Sequence, residues 1–166
     1  MSKSAIWSIV ALVIVIAGVI LAIIFIPGSG KNKANNKTTN SSLTASQKAA
    51  DAKTIKSNFS TFFAAATPMS QRESLLQNGS QFAQPMQAEF TQLGAQNPSI
   101  TINSVSVTSA NVAKVDYTVN LNGNPVLKNQ PGEAVKVNGK WLVSDSTLCQ
   151  LFSLGGQQPA ACKNIQ

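Results

Sequence analysis

The sequence predicts an α+β domain, with helices first and an antiparallel sheet after them, carried behind an N-terminal membrane-spanning helix. Three observations predict it. Apolar residues recur at three- and four-residue intervals from about Ala50 to Leu93, then at two-residue intervals after Asn97-Pro98. Asn122-Gly123 and Asn138-Gly139 separate the alternating runs, as tight hairpin turns require. Residues 5–26 form an apolar run interrupted only by Ser8 and Gly18, long enough to cross a bilayer as a helix.

That run satisfies its own backbone as a helix in lipid. Its large branched residues each favour insertion by roughly 0.3–0.6 kcal/mol. A cleaved leader is the competing reading, but leaders have an apolar core of about 7–15 residues and a small-x-small cleavage site. Here Ile26-Pro27-Gly28-Ser29-Gly30 follows, and no cysteine stands there to take a lipid. An uncleaved anchor over residues 1–27 is therefore expected, with Trp7 at the interface. Gly18 and Ala22 have the small-xxx-small spacing of associating spans, which arises easily by chance in such a run.

Residues 28–50 carry Lys31, Lys33, Lys37 and Lys48 with no acid, among Gly, Ser, Asn, Thr and Ala. This composition reads as a flexible basic linker. Its lysines either rest on anionic headgroups or are simply solvated. The net charge of +7 is concentrated there. The domain expected over residues 51–166 is nearly balanced, which excludes a nucleic-acid footprint.

Ile55, Phe59, Phe62, Phe63 and Ala66 fall on one face of a first helix, which Pro68 is expected to end. Thr67 then caps a short second helix carrying Arg72, Leu75 and Leu76, with Gly79 as its stop. Ser80 opens a third, with Phe82, Met86, Phe90 and Leu93 on one side, Pro85 near its start and Gly94 at its end.

The alternation of Ile100 and Ile102 slips out of phase with Val105 and Val107, so a bulge is expected near Asn103-Ser104. Ala113 to Leu121 is a second strand. Val126 and Leu127 start a short third, ended by Pro131-Gly132. Val135 and Val137 belong to a fourth, Trp141 and Val143 to a fifth. A three-residue loop around Asn138-Gly139 would set Trp141 opposite Val135 and gather the apolar residues on one face; a two-residue loop would set it opposite Lys136. The first is preferred. Ser146 to Phe152 extends the last strand.

Cys149 and Cys162 are the two cysteines. In an exported chain an even, sparse count suggests one disulfide, with two unrelated thiols as the alternative. Positive charge counted alone would keep the C-terminal side in the cytoplasm; the cysteines argue for the outside, and that orientation is adopted.

Several segments carry a resemblance to a known family. They are Phe62-Phe63 with Thr67, QRESLLQNG (Gln71 to Gly79), DYTVNLNGNPVL, GEAVKVNGKWLVSD, and LCQLF with PAAC at the end. In this order they resemble the C-terminal domain of the mycobacterial low molecular weight secreted antigen family and related actinobacterial membrane-anchored proteins. The resemblance implies a nuclear-transport-factor-2-like cone, about three helices packed on a curved antiparallel sheet, and an exported, cell-envelope location. It implies no particular activity.

The chain has no histidine, which removes Ser-His and Cys-His nucleophilic sites and the commonest metal ligand. No phosphate loop or dinucleotide fingerprint occurs. Two cysteines fall short of the four ligands of structural zinc. No catalytic residue, metal or cofactor is expected. Arg72, the one arginine, is either a rim or partner contact or a structural donor to nearby carbonyls. Tyr117 and Trp141 either line a pocket or belong to the core. The leading expectation is a single-pass, extracytoplasmic, non-enzymatic module at the cell membrane that binds an envelope protein or an apolar ligand. An enzyme with a cone pocket near Tyr117 and Asp145, or a passive surface antigen, are the alternatives.

Overall fold

The computed structural model describes residues 43–163 and residue 165. The apolar run, and the expected linker up to residue 42, lie outside them. Among the described residues, no helix is long and apolar enough to cross a membrane.

Helix α1 (Ala45–Phe63) opens on a capping box. The Thr44 hydroxyl accepts the Gln47 N–H at 3.2 Å, and the Gln47 side chain accepts the Thr44 N–H at 2.9 Å. Residues 45–50, expected as the end of the linker, are therefore the first turns of a helix: a local cap outweighs a polar composition. Ile55, Phe59, Phe62 and Phe63 are its buried residues.

α1 stops at Phe63, ahead of the expected Pro68, which instead stands at the N-cap of α2 (Met69–Leu75). Thr67 does not cap α2. Its hydroxyl donates back to the Thr61 carbonyl at 2.6 Å. Leu76, expected on α2, is extended and bridges Val143. Gly79 begins α3 (Gly79–Leu93) rather than ending α2, and Asn78, not Ser80, is the N-cap. The reason is space, since a Cβ on Gly79 would lie 2.0 Å from the Glu73 carbonyl oxygen. Pro85 sits inside α3, and Gly94 closes it as expected, leading into a 3₁₀ turn over Gly94–Gln96.

The sheet has four antiparallel strands in the order β1 (Ser99–Val107), β2 (Val112–Leu121), β3 (Asn124–Val137), β4 (Lys140–Val143). The expected bulge is there, between Ile102 and Ser104. Asn122-Gly123 makes the β2–β3 turn, both residues at positive φ. The expected third and fourth strands are one, because Pro131-Gly132 does not interrupt β3. Glu133 turns its N–H and C=O outward, to the Thr147 hydroxyl and the Ser144 N–H. Pro131, two residues earlier, has its nitrogen on that same open side and forfeits no ladder bond. β3 instead accommodates a further bulge at Asn129, which adopts φ 52°.

Two further expectations are corrected. Asn138 and Gly139 both take positive φ, 50° and 80°, so the turn has two residues and Trp141 faces Lys136, not Val135. Ser146 to Phe152 does not extend the last strand but lies in α4 (Asp145–Leu154), which makes four helices among the described residues where about three were expected. Ser144 caps α4 by accepting the Thr147 N–H at 3.2 Å. Asp145 lies in its first turn, and Leu148, Cys149 and Phe152 recur at helical spacing on its buried side.

α1 packs against both edge strands, β1 and β4. Between it and the sheet, Phe59 and Phe63 meet Tyr117 at centroid distances of 6.2 and 5.7 Å. Phe62, Phe82, Met86, Val115 and Val143 fill the remainder.

Candidate functional site

Two polar centres hold the ends of α1, and they differ in access. At the C-terminal end, α2 delivers Arg72 to the helix terminus. Its guanidinium donates to the carbonyls of Phe62, Ala64 and Ala65 and lies 3.6 Å from the centroid of the Phe90 ring. The Phe62 carbonyl is among those a helix end leaves without partners; Ala64 is the C-cap and also accepts the Thr67 N–H. Burial pushes the Arg72 pKa down to about 10, so the side chain remains cationic at neutral pH. Only 2% of Arg72 is exposed.

The rest of QRESLLQNG is occupied in the same way. The Gln77 N–H donates to the Val143 carbonyl at 3.0 Å. Asn78 donates from its backbone N–H and its side-chain amide to the carboxylate of Asp145, at 3.1 and 2.5 Å. Thus QRESLLQNG and the VSD of the last strand meet in space and brace α2, α3, β4 and α4 together. Asp145 is buried there, in the first turn of α4. The Tyr117 hydroxyl, buried in the core, has no hydrogen-bond partner among the described residues. Tyr117 and Asp145 therefore form no acid–base pair. Desolvation pushes the Tyr117 phenol well above its ordinary value.

At the other end of α1, Asp51 Oδ1 accepts the Trp141 indole N–H at 2.7 Å and pairs with Lys136 Nζ at 3.1 Å. Lys136 Nζ is also 4.9 Å from the Trp141 ring centroid. The indole hydrogen bond, with help from Lys136, holds the Asp51 carboxyl below its ordinary value of 3.8. One turn pair along the helix, Asn58 donates its side-chain amide to the Trp141 carbonyl at 2.7 Å. That bond and the Gln77 donation cover the outer edge of β4.

A groove of about 430 Å³ opens beside this centre. Asp51, Thr54 and Asn58 of α1 form one wall, the Lys136–Lys140 hairpin the other, and Leu75, Trp141 and Leu142 the apolar part. A larger, shallower depression of about 710 Å³ runs between α2 and α3. Small and amide side chains such as Ala83, Gln84, Gln87 and Ala88 line it, with Glu73 the single charged residue of its lining.

The structure thus places Arg72 in a sealed helix terminus, Tyr117 in the aromatic core and Trp141 at the floor of a groove, without bringing the three to one site. Sequence reading missed Asp51, Asn58, Lys136 and Lys140. The available signal was the turn: a two-residue Asn138-Gly139 loop sets Lys136 beside Trp141.

Cys149 and Cys162 form a disulfide with Cα atoms 5.5 Å apart, a spacing ordinary for such bridges. It ties the 3₁₀ turn over Ala160–Cys162 to α4. Among the described residues, no group of three or more His, Cys, Asp or Glu side chains is placed to hold a metal ion.

No curated protein matches this chain. A family model does, over residues 48–159, a span that takes in the Arg72 brace, the groove and Cys149 but stops short of Cys162. With most of its length so matched, the chain belongs to the family described as the C-terminal domain of low molecular weight antigen MTB12.

Proposed function

We propose that this protein is a non-enzymatic binding module, held outside the cell membrane by an N-terminal spanning helix, and that it binds a partner protein of the envelope at the groove beside Trp141. The observation that carries the reading is the contrast between interior and rim. Aromatic side chains occupy the space between α1 and the sheet, with Phe59, Phe62 and Tyr117 each 0% exposed. The groove is open and mixes charge with apolar surface, as contact surfaces do. A partner protein is thus favoured over an apolar ligand taken into the interior.

Three further features support the setting. The run over residues 5–26 has the length of a spanning helix. A disulfide suits an oxidising compartment. A helix touching both edge strands fits a sheet curved about it, as in a nuclear-transport-factor-2-like cone. A tether would keep the groove concentrated near membrane neighbours.

The test is a photocrosslinking residue placed at Lys140 in the full chain, in native membranes, with the same residue at Lys114 on the outer face of β2 as comparison. A protein captured from position 140 and not from 114 supports the reading. Identical capture from both positions, or none from either, overturns it. Protease added to intact cells tests the location: a protected domain, with the wall permeable to the protease, would put it on the wrong side.

A further inference from the structure

We infer that the groove takes an extended peptide segment of another protein, with an acidic side chain set against Lys140; the inference rests on the binding reading above and names the chemistry of its ligand.

Most donors lining the groove are already committed within the molecule. The Thr54 hydroxyl donates to the Ala50 carbonyl at 3.2 Å, and the Ser74 hydroxyl to Gln71 at 2.8 Å. Asn58 and the Trp141 indole donate to Trp141 O and Asp51, as described above. Two cations remain with protons to give. Lys140 is exposed and makes no hydrogen bond or ion pair among the described residues. Lys136 shares one contact with Asp51 and has two further protons.

The opposite wall offers acceptors. Asp51 uses only Oδ1 toward Trp141 and Lys136, which leaves Oδ2, and Asn58 keeps its amide oxygen. An acceptor wall on α1 therefore stands beside a donor wall on the hairpin, the two joined by the Asp51–Lys136 pair, with Leu75 and Leu142 among the apolar lining. An extended peptide suits this arrangement, because each of its edges carries both N–H and C=O groups, so one edge can donate to the acceptor wall while the other accepts from the donor wall. Its alternate side chains supply the apolar contact. Charge selects among peptides. Two lysines against one carboxylate leave the groove with a net positive charge, and Lys140 is the member with no internal anion. A carboxylate there gains a pairing without breaking Asp51–Lys136.

The experiment uses the full chain in detergent micelles. The probe is a short fluorescein-labelled peptide of alternating glutamate and valine, and its counterpart has glutamine for every glutamate. The expected result is saturable binding of the acidic probe, weakened about tenfold by Lys140→Glu and by the glutamine replacement, and untouched by Lys114→Glu. Far-UV circular dichroism confirms that each variant is folded. Equal binding of the two peptides, or binding indifferent to Lys140→Glu, overturns the inference. Equal loss in both lysine variants also overturns it, since that is general charge attraction. Failure of both peptides to bind overturns it too. The crosslinking contrast between positions 140 and 114 still decides separately whether the groove binds a protein at all.

Discussion

The two ends of α1 are held by opposite charges, and the difference between them separates structure from binding. Arg72 is enclosed. Its partners are backbone carbonyls and one aromatic ring, and water reaches 2% of it. Asp51 stands at a rim, its side chain 17% exposed, with a lysine and an indole as partners and a free oxygen beside a groove. Arg72, at the end of α1, suits the helix dipole, whereas Asp51 lies past the first turn and is held by its side-chain partners. A sealed charge whose hydrogen bonds all go to the fold's own carbonyls stabilises. A rim charge that keeps an unused atom can also recognise.

The comparison breaks most readily at Arg72. Arg72→Leu removes the donor to three carbonyls at the α1 terminus, leaves the buried Phe62 carbonyl without its partner and takes away the cation over the Phe90 ring. The expected loss is about 3–5 kcal/mol of folding stability, read from the midpoint of urea denaturation. Peptide binding at the groove should persist in whatever fraction remains folded. A loss under about 1 kcal/mol, the worth of a surface pair, would mean that the enclosed centre behaves like the exposed one.

Next in size is the disulfide, which belongs to neither end. Closing a loop over a sequence separation of 13 is worth roughly 3 kcal/mol in the chain-entropy description. The bridge joins α4 to the tail, and neither lines the groove. Reduction should lower folding stability by that amount, read from the urea denaturation curve, and leave the groove's affinity unchanged. An affinity that falls with reduction would show that the tail and the groove are coupled.

The sheet and the first three helices were legible because each rests on a local signal: a period, an Asn-Gly turn, or a phase slip at Asn103. α4 was not. Its buried residues include Leu148, Cys149 and Phe152, and Ser146 to Phe152 is too short for its period to separate helix from strand. Only the Ser144 cap tells them apart. The continuity of β3 was hidden because Pro131 and Gly132 signal an end, while the geometry that retains them is tertiary. A Cβ on Gly132 would meet the Tyr117 ring at 2.8 Å. Arg72 was visible as the one arginine, but its partners are carbonyls, which every residue has, so no side-chain pattern announces them. The groove draws on α1, α2 and the β3–β4 hairpin, and one misplaced register hid it.

A smaller change sharpens the rim. Asp51→Asn retains an acceptor for the Trp141 indole but removes the charge facing Lys136. It should cost no more than about 1 kcal/mol, and it should tighten binding of an acidic peptide by removing a like charge. The pH dependence has a definite sign. A carboxyl held below its ordinary value in the folded state adds stability above that value. The contribution is lost as pH falls below about 3.8, through the lowered folded-state value. Trp141 reports it directly in a Trp7→Phe background. Its emission should change over that acid range in the parent and stay flat in Asp51→Asn. A parent that is also flat would detach the indole from Asp51.

The smallest expected effect lies in the core against the last turns of α1, at Tyr117. Its hydroxyl is buried without a partner among the described residues, and an unpaired polar group in a core costs free energy. Tyr117→Phe removes that group and keeps the ring that stacks on Phe63 and covers Gly132. Stability should stay level or rise by up to about 1 kcal/mol. The phenol is raised above its ordinary value of 10.0 in the folded protein, so the folded state retains its proton where the unfolded chain gives it up. Stability should therefore fall as pH climbs past 10.0. As the chain has one tyrosine, tyrosinate absorbance should appear together with loss of near-ultraviolet dichroism and not before it. Ionisation near pH 10 in a still-folded protein would mean that water reaches this ring. The interior would then be open to a ligand after all, and the contrast between a filled core and an open rim would fail.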